Sequence, residues 1–400
     1  MIAKYASSLF TRKQFTQARI SVIQFLVLLF LVPLEAQTSF FGYFESEADR
    51  INFNNKAYSF GYHKVRLDFE QKRDDGIIIS GNLNWQKYHG QTTWNFLDFI
   101  PQNVWEPYFP DGKYEVTITD TFYLDNLYAR KSFRFMDITV GRQPISLGVG
   151  YAWNPLDMFN QKNLLDPTYE QPGVDAVRFE IPMGNRAGLD VIMANHDSLS
   201  GGEKMLQFKT GIGSFDFTLN YANRYHLYPY WEGVNVTTTH TESKFIGGSV
   251  VGQIGEFGIW AETFKSLDET TGIGEYVLGL DHTFDNGIYV MGEYFHNTLG
   301  VTKKELSLNH YIHAFSGESK SLMKNYIFMM SRYGFTDFIS GSVIGFGNMD
   351  DGSFSFLPMV DWNFMEDVTL SLMGNQSIGE SNTEFGVQGS AWRLRLRAYF

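Results

Sequence analysis

A chain of 400 residues with 44 acidic against 32 basic side chains, a formal charge of −12, is not built to wrap nucleic acid, whose phosphates it would repel. With no cysteine it has neither a disulfide framework nor thiolate metal sites. No uninterrupted apolar run of about 18 residues follows residue 36, which excludes transmembrane helices beyond that point.

In chain order, the first element is a targeting segment. Lys4, Arg12, Lys13 and Arg19 form a basic start, ISVIQFLVLLFLV (20–32) is an uncharged apolar core, and PLEA ends on the small residue Ala36. Such a core is short for a spanning helix, which needs roughly 20 residues, so 1–36 is read as a cleaved signal peptide rather than an anchor. Residues 37–400 then carry 28 basic and 43 acidic groups, a net of −15.

The rest of the chain alternates polar and apolar residues in short segments. YSFGYHKVRLDFEQ (58–71) sets Val65, Leu67 and Phe69 against Lys64, Arg66, Asp68 and Glu70. AVRFEI (176–181) repeats the pattern, and AWRLRLRAYF (391–400) sets Trp392, Leu394, Leu396, Ala398 and Phe400 against Arg393, Arg395, Arg397 and Tyr399. A period of two with this chemistry means strands with one apolar and one wet face. Eighteen are predicted, near 39–46, 58–71, 77–88, 122–132, 134–142, 176–181, 188–194, 205–212, 215–224, 243–254, 257–266, 275–284, 288–296, 325–333, 338–347, 353–363, 368–374 and 388–400, and sixteen is also compatible with the pattern.

The connections alternate in length. Tight turns, among them 72–76, a one-residue turn near 133, 213–214, 255–256 and Asp285-Asn286-Gly287, alternate with longer loops at 89–121, 143–175, 225–242 and 297–324, and a further turn is read at 47–57. This predicts an all-β fold: a transmembrane antiparallel β-barrel of 16–18 strands, with short periplasmic turns and long extracellular loops. The chain is thus expected in the outer membrane of a Gram-negative-type bacterium, in contact with outer-membrane lipid. The rival, a soluble β-helix or pair of sandwiches, needs no such alternation and leaves the 16% aromatic content unexplained, whereas a barrel uses aromatics as interfacial girdles. A mean hydropathy of −0.21 agrees with a polar lumen. A terminal strand ending in Phe400 resembles the signal read by barrel-assembly machinery, the expected protein partner.

The sequence carries no enzyme signal. It has no G-x-S-x-G elbow and no H-E-x-x-H spacing, its nine histidines are scattered, and no metal, cofactor or catalytic residue is predicted. Asp74-Asp75-Gly76 and Asp350-Asp351-Gly352 read as turns. A barrel of this size encloses an aqueous lumen, so the expected function is passive diffusion of hydrophilic solutes. The alternative is a non-conducting barrel serving as a surface structural or interaction protein.

Closing the barrel would bring Arg393, Arg395 and Arg397 toward Lys64 and Arg66. Those five cations either form an electropositive path for anions or pair with Glu45, Glu47, Asp68 and Glu70; pairing is favoured, because the carboxylates share the face. The loop 89–121 holds Trp94, Phe96, Phe99, Trp105, Tyr108 and Phe109, which suit sugar rings but are read first as a structured cap.

The stretch VGRQPISLGVGYAWNPLDMFN (140–160) loses all periodicity and fills with glycine, proline and aromatics. Its Gly141-Arg142-Gln143 start, aromatic-glycine run and following loop resemble the strand-end segment of alginate-export-like outer-membrane porins. The resemblance implies an eighteen-strand barrel with an arginine-lined lumen passing an anionic polysaccharide, and it carries over Arg142 alone as a lumen residue. Residues 143–175 are expected to fold inward and narrow the pore, with Arg142 near the mouth and Tyr151, Trp153 and Phe159 against the wall. The candidate solute path is therefore Lys64, Arg66, Arg142, Trp153, Arg393, Arg395 and Arg397.

Overall fold

A computed structural model describes residues 37–53, 56–160, 162, 170–194, 202–232, 235–268, 272, 274–302, 306–316, 319–386 and 389–400. The predicted signal peptide lies outside them. The chain runs up and down through β1 (Gln37–Phe53), β2 (Lys56–Lys72) and β3 (Ile77–Gly90). A loop follows with β4 (Thr93–Asn95), the helix α1 (Gln102–Trp105), β5 (Glu115–Thr117) and β6 (Thr121–Tyr123). The wall resumes with β7 (Leu127–Ser132), β8 (Asp137–Gln143), β9 (Val174–Pro182), β10 (Ala187–Ala194), β11 (Lys204–Ile212), β12 (Phe215–Glu232), β13 (Asn235–Ile254), β14 (Phe257–Ser266), β15 (Gly274–Thr283) and β16 (Tyr289–Asn297). After the helix α2 (Leu308–Ser316) come β17 (Asn325–Gly334), β18 (Ile339–Asn348), β19 (Ser353–Met365), β20 (Val368–Ile378) and β21 (Ser390–Tyr399).

Each wall strand pairs antiparallel with its neighbours in sequence, and β1 pairs with β21 from Tyr43↔Tyr399 to Asn52↔Ser390. The result is a closed barrel of 18 strands, β1–β3 and β7–β21. Closure satisfies every edge, which is what lets strands cross a bilayer. The alternation explains which face goes where. On β21, Trp392 and Leu394 are about half exposed on the outside, while Arg393 and Arg395 are buried inside. Leu206, Leu219, Leu278, Leu280, Ile327 and Met329 continue the outer apolar belt, and Phe133, Phe135, Phe257, Phe284, Phe335 and Phe338 ring the tight-turn end.

All eighteen predicted strands are present. Three predicted connections differ. The turn at 47–57 and the loop at 225–242 are largely strand, because β1–β2 and β12–β13 continue as hairpins to Phe53↔Lys56 and Glu232↔Asn235. The one-residue turn near 133 spans four residues, with the Phe133 N–H donating to the Met136 carbonyl at 2.8 Å. The strand predicted at 122–132 breaks between β6 and β7, where the Asn82 side-chain oxygen accepts the N–H groups of Asp125 and Asn126 at 3.1 and 3.3 Å. Of the scattered histidines, His310 and His313 lie on α2 and His240 on β13, while His196 falls outside the described residues.

Candidate functional site in the barrel lumen

Between β8 and β9 the chain leaves the wall and crosses the lumen. This strap begins after Gln143, whose side-chain amide donates to the Ala176 carbonyl at 3.0 Å. Ile145, Leu147, Leu156 and Met158 pack on inward residues of β9–β14, including Ile192, Met205, Phe245 and Phe264. The strap tip then closes on two glutamates of the wall. The Glu262 carboxylate accepts the N–H groups of Val149 (2.6 Å), Gly150 (3.2 Å) and Leu156. The Glu293 carboxylate accepts those of Tyr151 (2.6 Å), Ala152 (2.9 Å) and Trp153 (2.9 Å), together with the Trp260 indole N–H (2.9 Å). Both carboxylates are buried, where an unpartnered charge is costly and charge-assisted bonds are strong. Gly148 makes the approach possible: its φ is +84°, and a Cβ there would stand 2.5 Å from a Glu262 oxygen.

Local bonds stiffen the strap. Asp157 accepts the N–H groups of Phe159 and Asn160, and the Asn154 amide donates to the Leu147 carbonyl at 3.0 Å. Lys320, from the loop carrying α2, donates to the carbonyls of Asn154 and Asp157. Burial pushes the Asp157 carboxyl up to about 6 against the pull of Lys320, and burial also lowers Lys320.

The strap tip is part of one apolar core inside the barrel. Trp153 stacks on Phe295, ring centroids 5.1 Å apart and planes 7° from parallel. Around it meet Phe96, Leu97, Ile100, Val104 and Phe109 of the 91–126 loop, Leu308, Tyr311 and Ile312 of α2, Phe385, and inward side chains of β14–β19. Burying each large side chain contributes about 1.5–3 kcal/mol. The rest of the aromatic loop packs on the upper ends of β1 and β2, with Trp94 and Phe99 against Phe53, Tyr58 and Phe60.

The wall at the closing seam is charged. Across the closing seam Arg393, Arg395 and Arg397 stand directly opposite Asp49, Glu47 and Glu45. Arg393 Nε lies 3.0 Å from Asp49, Arg395 Nε 2.6 Å from Glu47, and Arg397 Nε 2.6 Å from Glu45. Tyr62 donates to Glu45 and Glu47 at 2.7 and 3.0 Å. The seam cations are therefore paired. Asp68 holds Arg66 (2.7 Å), one of the five cations it was expected to serve, whereas Glu70 meets Lys72 (3.1 Å); the seam partner missed from sequence is Asp49.

On the strap's return, Glu170 lands on this wall. Its carboxylate meets Lys64 Nζ at 2.8 Å, Arg66 Nη1 at 2.9 Å and the Tyr43 hydroxyl at 2.8 Å. Burial raises its pKa, but Lys64 and Arg66 prevail and hold it at about 2. The strap thus joins β2 to β14, which lie nine strands apart in either direction around the barrel.

Two expected solute-path residues differ from expectation in height or exposure. Arg142 is not at the mouth: it faces Leu127, which pairs with Gly81 early in β3, because β7 and β8 are short. There it holds Asp175 at 3.3 Å and the Asp125 carbonyl at 3.1 Å. Trp153 is 4% exposed, so it packs the strap and offers no open face to a solute. Lys64, Arg66 and the seam arginines do come together on one wall. Glu262 and Glu293, the strap's anchors, were missed, since a glutamate on the wet face of a strand looks like any other lumen acid.

No family model and no curated protein matches this chain. Among solved structures, OccAB4 of Acinetobacter baumannii superposes with a TM-score of 0.56 at 10% identity, covering 92% of this chain and all of the other. Engineered variants of the Rhodopseudomonas blastica porin align at TM-scores of 0.45 and about 10–12% identity over 91% of this chain and all of theirs. OmpT of Vibrio cholerae aligns at 0.44 and 9% identity over 91% of this chain and 99% of its own. The likeness to OccAB4 is one of fold. A closed 18-strand barrel with an apolar outer belt and aromatic ring makes this chain a β-barrel protein of the outer membrane of a Gram-negative-type bacterium.

Proposed function

We propose that the chain is a diffusion channel for small hydrophilic solutes, an anionic saccharide among them, and that its passage runs along the charged side of the lumen. The observation carrying this reading is the division of the lumen: an apolar core fills the side of β14–β19, while ionisable side chains line β21, β1 and β2. On this reading Arg393, Arg395 and Arg397 with their carboxylates form the polar wall of the path, since charges at close quarters set pore preference. Lys64 and Arg66 hold the strap's return through Glu170, Arg142 braces its hinge, and Trp153 seats its tip. No enzymatic step is assigned. Delivery to the membrane is attributed to the barrel-assembly machinery acting on β21 and Phe400.

The test is reconstitution. Purified protein in planar bilayers should give discrete conductance steps, and liposomes carrying it should swell in small neutral and acidic sugars. Neither conductance nor swelling would overturn the proposal and leave a non-conducting surface barrel.

A further inference from the structure

Three lysines, on β11, β13 and β14, face out of the barrel rather than in. Lys204 precedes Met205, Lys244 precedes Phe245, and Lys265 follows Phe264; those three neighbours are buried in the lumen core, so strand alternation turns the lysines outward, and all three are exposed. The register gathers them. Lys204 lies opposite Asn223, Asn223 lies opposite Lys244, and Lys265 lies opposite Ile246, two residues from Lys244 on the same outer face. With strands spaced about 4.8 Å apart, the backbones of Lys204 and Lys244 are separated by about 10 Å, within joint reach of two long side chains.

Their height is as informative as their spacing. Below Lys204 the outer face of β11 reads Leu206, Phe208, Thr210 and Ile212; below Lys244, β13 reads Ile246, Gly248, Val250, Gly252 and Ile254. Below Lys265, β14 reads Thr263, Ala261, Ile259 and Phe257. The lysines therefore crown the apolar belt at its extracellular edge, where an ammonium group reaches headgroups and escapes hydrocarbon. None of the three forms an ion pair among the described residues. Two acids lie near the cluster: Glu242 stands two residues above Lys244 toward water and accepts the Asn223 amide, and the Asp268 carboxylate, just past the end of β14, accepts the Lys244 backbone N–H at 2.9 Å.

We propose that Lys204, Lys244 and Lys265, with Asn223 between them, form a binding surface for the phosphate groups of a phosphorylated glycolipid in the outer leaflet. Its acyl chains lie on the apolar columns below. Juxtamembrane cations attract anionic headgroups by roughly fivefold in affinity each, so the three together hold one lipid class at one place on the barrel's circumference.

The probe is a fluorescent bisphosphorylated glucosamine lipid titrated into the detergent-solubilised barrel and followed by anisotropy. The wild type should bind it, each Lys→Gln change should weaken binding about fivefold, and the triple variant K204Q/K244Q/K265Q about a hundredfold. The triple Lys→Arg variant should bind as the wild type does, and all variants should keep the wild-type gel mobility of a folded barrel. Binding unchanged in the triple glutamine variant, or equal binding of the dephosphorylated lipid, would overturn the proposal.

Discussion

Glu170 and Lys64 meet at 2.8 Å on the return of a strap whose tip is bound to Glu262, nine strands away around the barrel. A passage loop anchored at one wall could swing; one anchored at both is a partition. That relationship fixes where the lumen's free space must be sought and what should release it.

Removing an anchor should widen the passage. In Glu293→Ala, the N–H groups of Tyr151, Ala152 and Trp153 and the Trp260 indole lose their acceptor. Hydrogen bonds to a charged group contribute about 1.5–3 kcal/mol each, so the tip should come away from the wall. Single-channel recordings should show larger and noisier steps than the wild type, and protease added from outside should cut within 144–160. Unchanged conductance would mean that the strap does not limit flow.

The backbone at the tip tolerates no side chain. Gly148→Ala must adopt φ near +84° and place its Cβ 2.5 Å from the Glu262 carboxylate. Gly213→Ala, also at positive φ (+61°) but with nothing within 4 Å, is the control. The control should cost about 1 kcal/mol from backbone conformation alone, and Gly148→Ala clearly more. Thermal unfolding followed by gel mobility compares the two.

The seam is specified by charge order. Arg395→Glu sets two carboxylates together in a buried place and should cost about 3–5 kcal/mol. Adding Glu47→Arg restores an opposed pair in the same register and should recover most of the loss. The yield of folded barrel in lipid checks both, and failure of the reversal to rescue would show that geometry rather than charge order sets the seam.

Acidity should affect stability through Glu384. Burial pushes this carboxyl from 4.5 up to about 7, although it accepts bonds from Tyr326 (2.6 Å) and Asn348 (2.7 Å), with Asp350 and Asp351 nearby. A raised acid contributes stability that is full below about pH 4.5 and lost as pH rises through about 7. The contribution is at most about 3 kcal/mol. The wild-type unfolding midpoint should therefore fall between pH 5 and 8, and Glu384→Gln should flatten that part of the curve.

The strands were legible because a membrane barrel writes its two environments onto alternate residues. Trp392, Arg393, Leu394 and Arg395 state the lipid and lumen faces of β21 with no help from context. Above the membrane both faces meet water, and the alternation fades. That is why Asp49 was lost inside a supposed turn at 47–57, and the third rung of the seam with it. The strap was visible as a break in periodicity, and its glycine, proline and aromatic content indicated an inward path. Its anchors were not visible, because on the strap Glu262 and Glu293 bind only backbone N–H groups, which leave no mark in the strap's sequence.

A strap tied to opposite walls also works on the walls. It acts as a tie rod across the ring, holding β2 and β14 at a set separation while the Arg–carboxylate rungs rivet the circumference at its one join. The cross-section of such a ring is held by its contents, so a change that frees the strap should alter the girth of the barrel as well as the width of the passage through it.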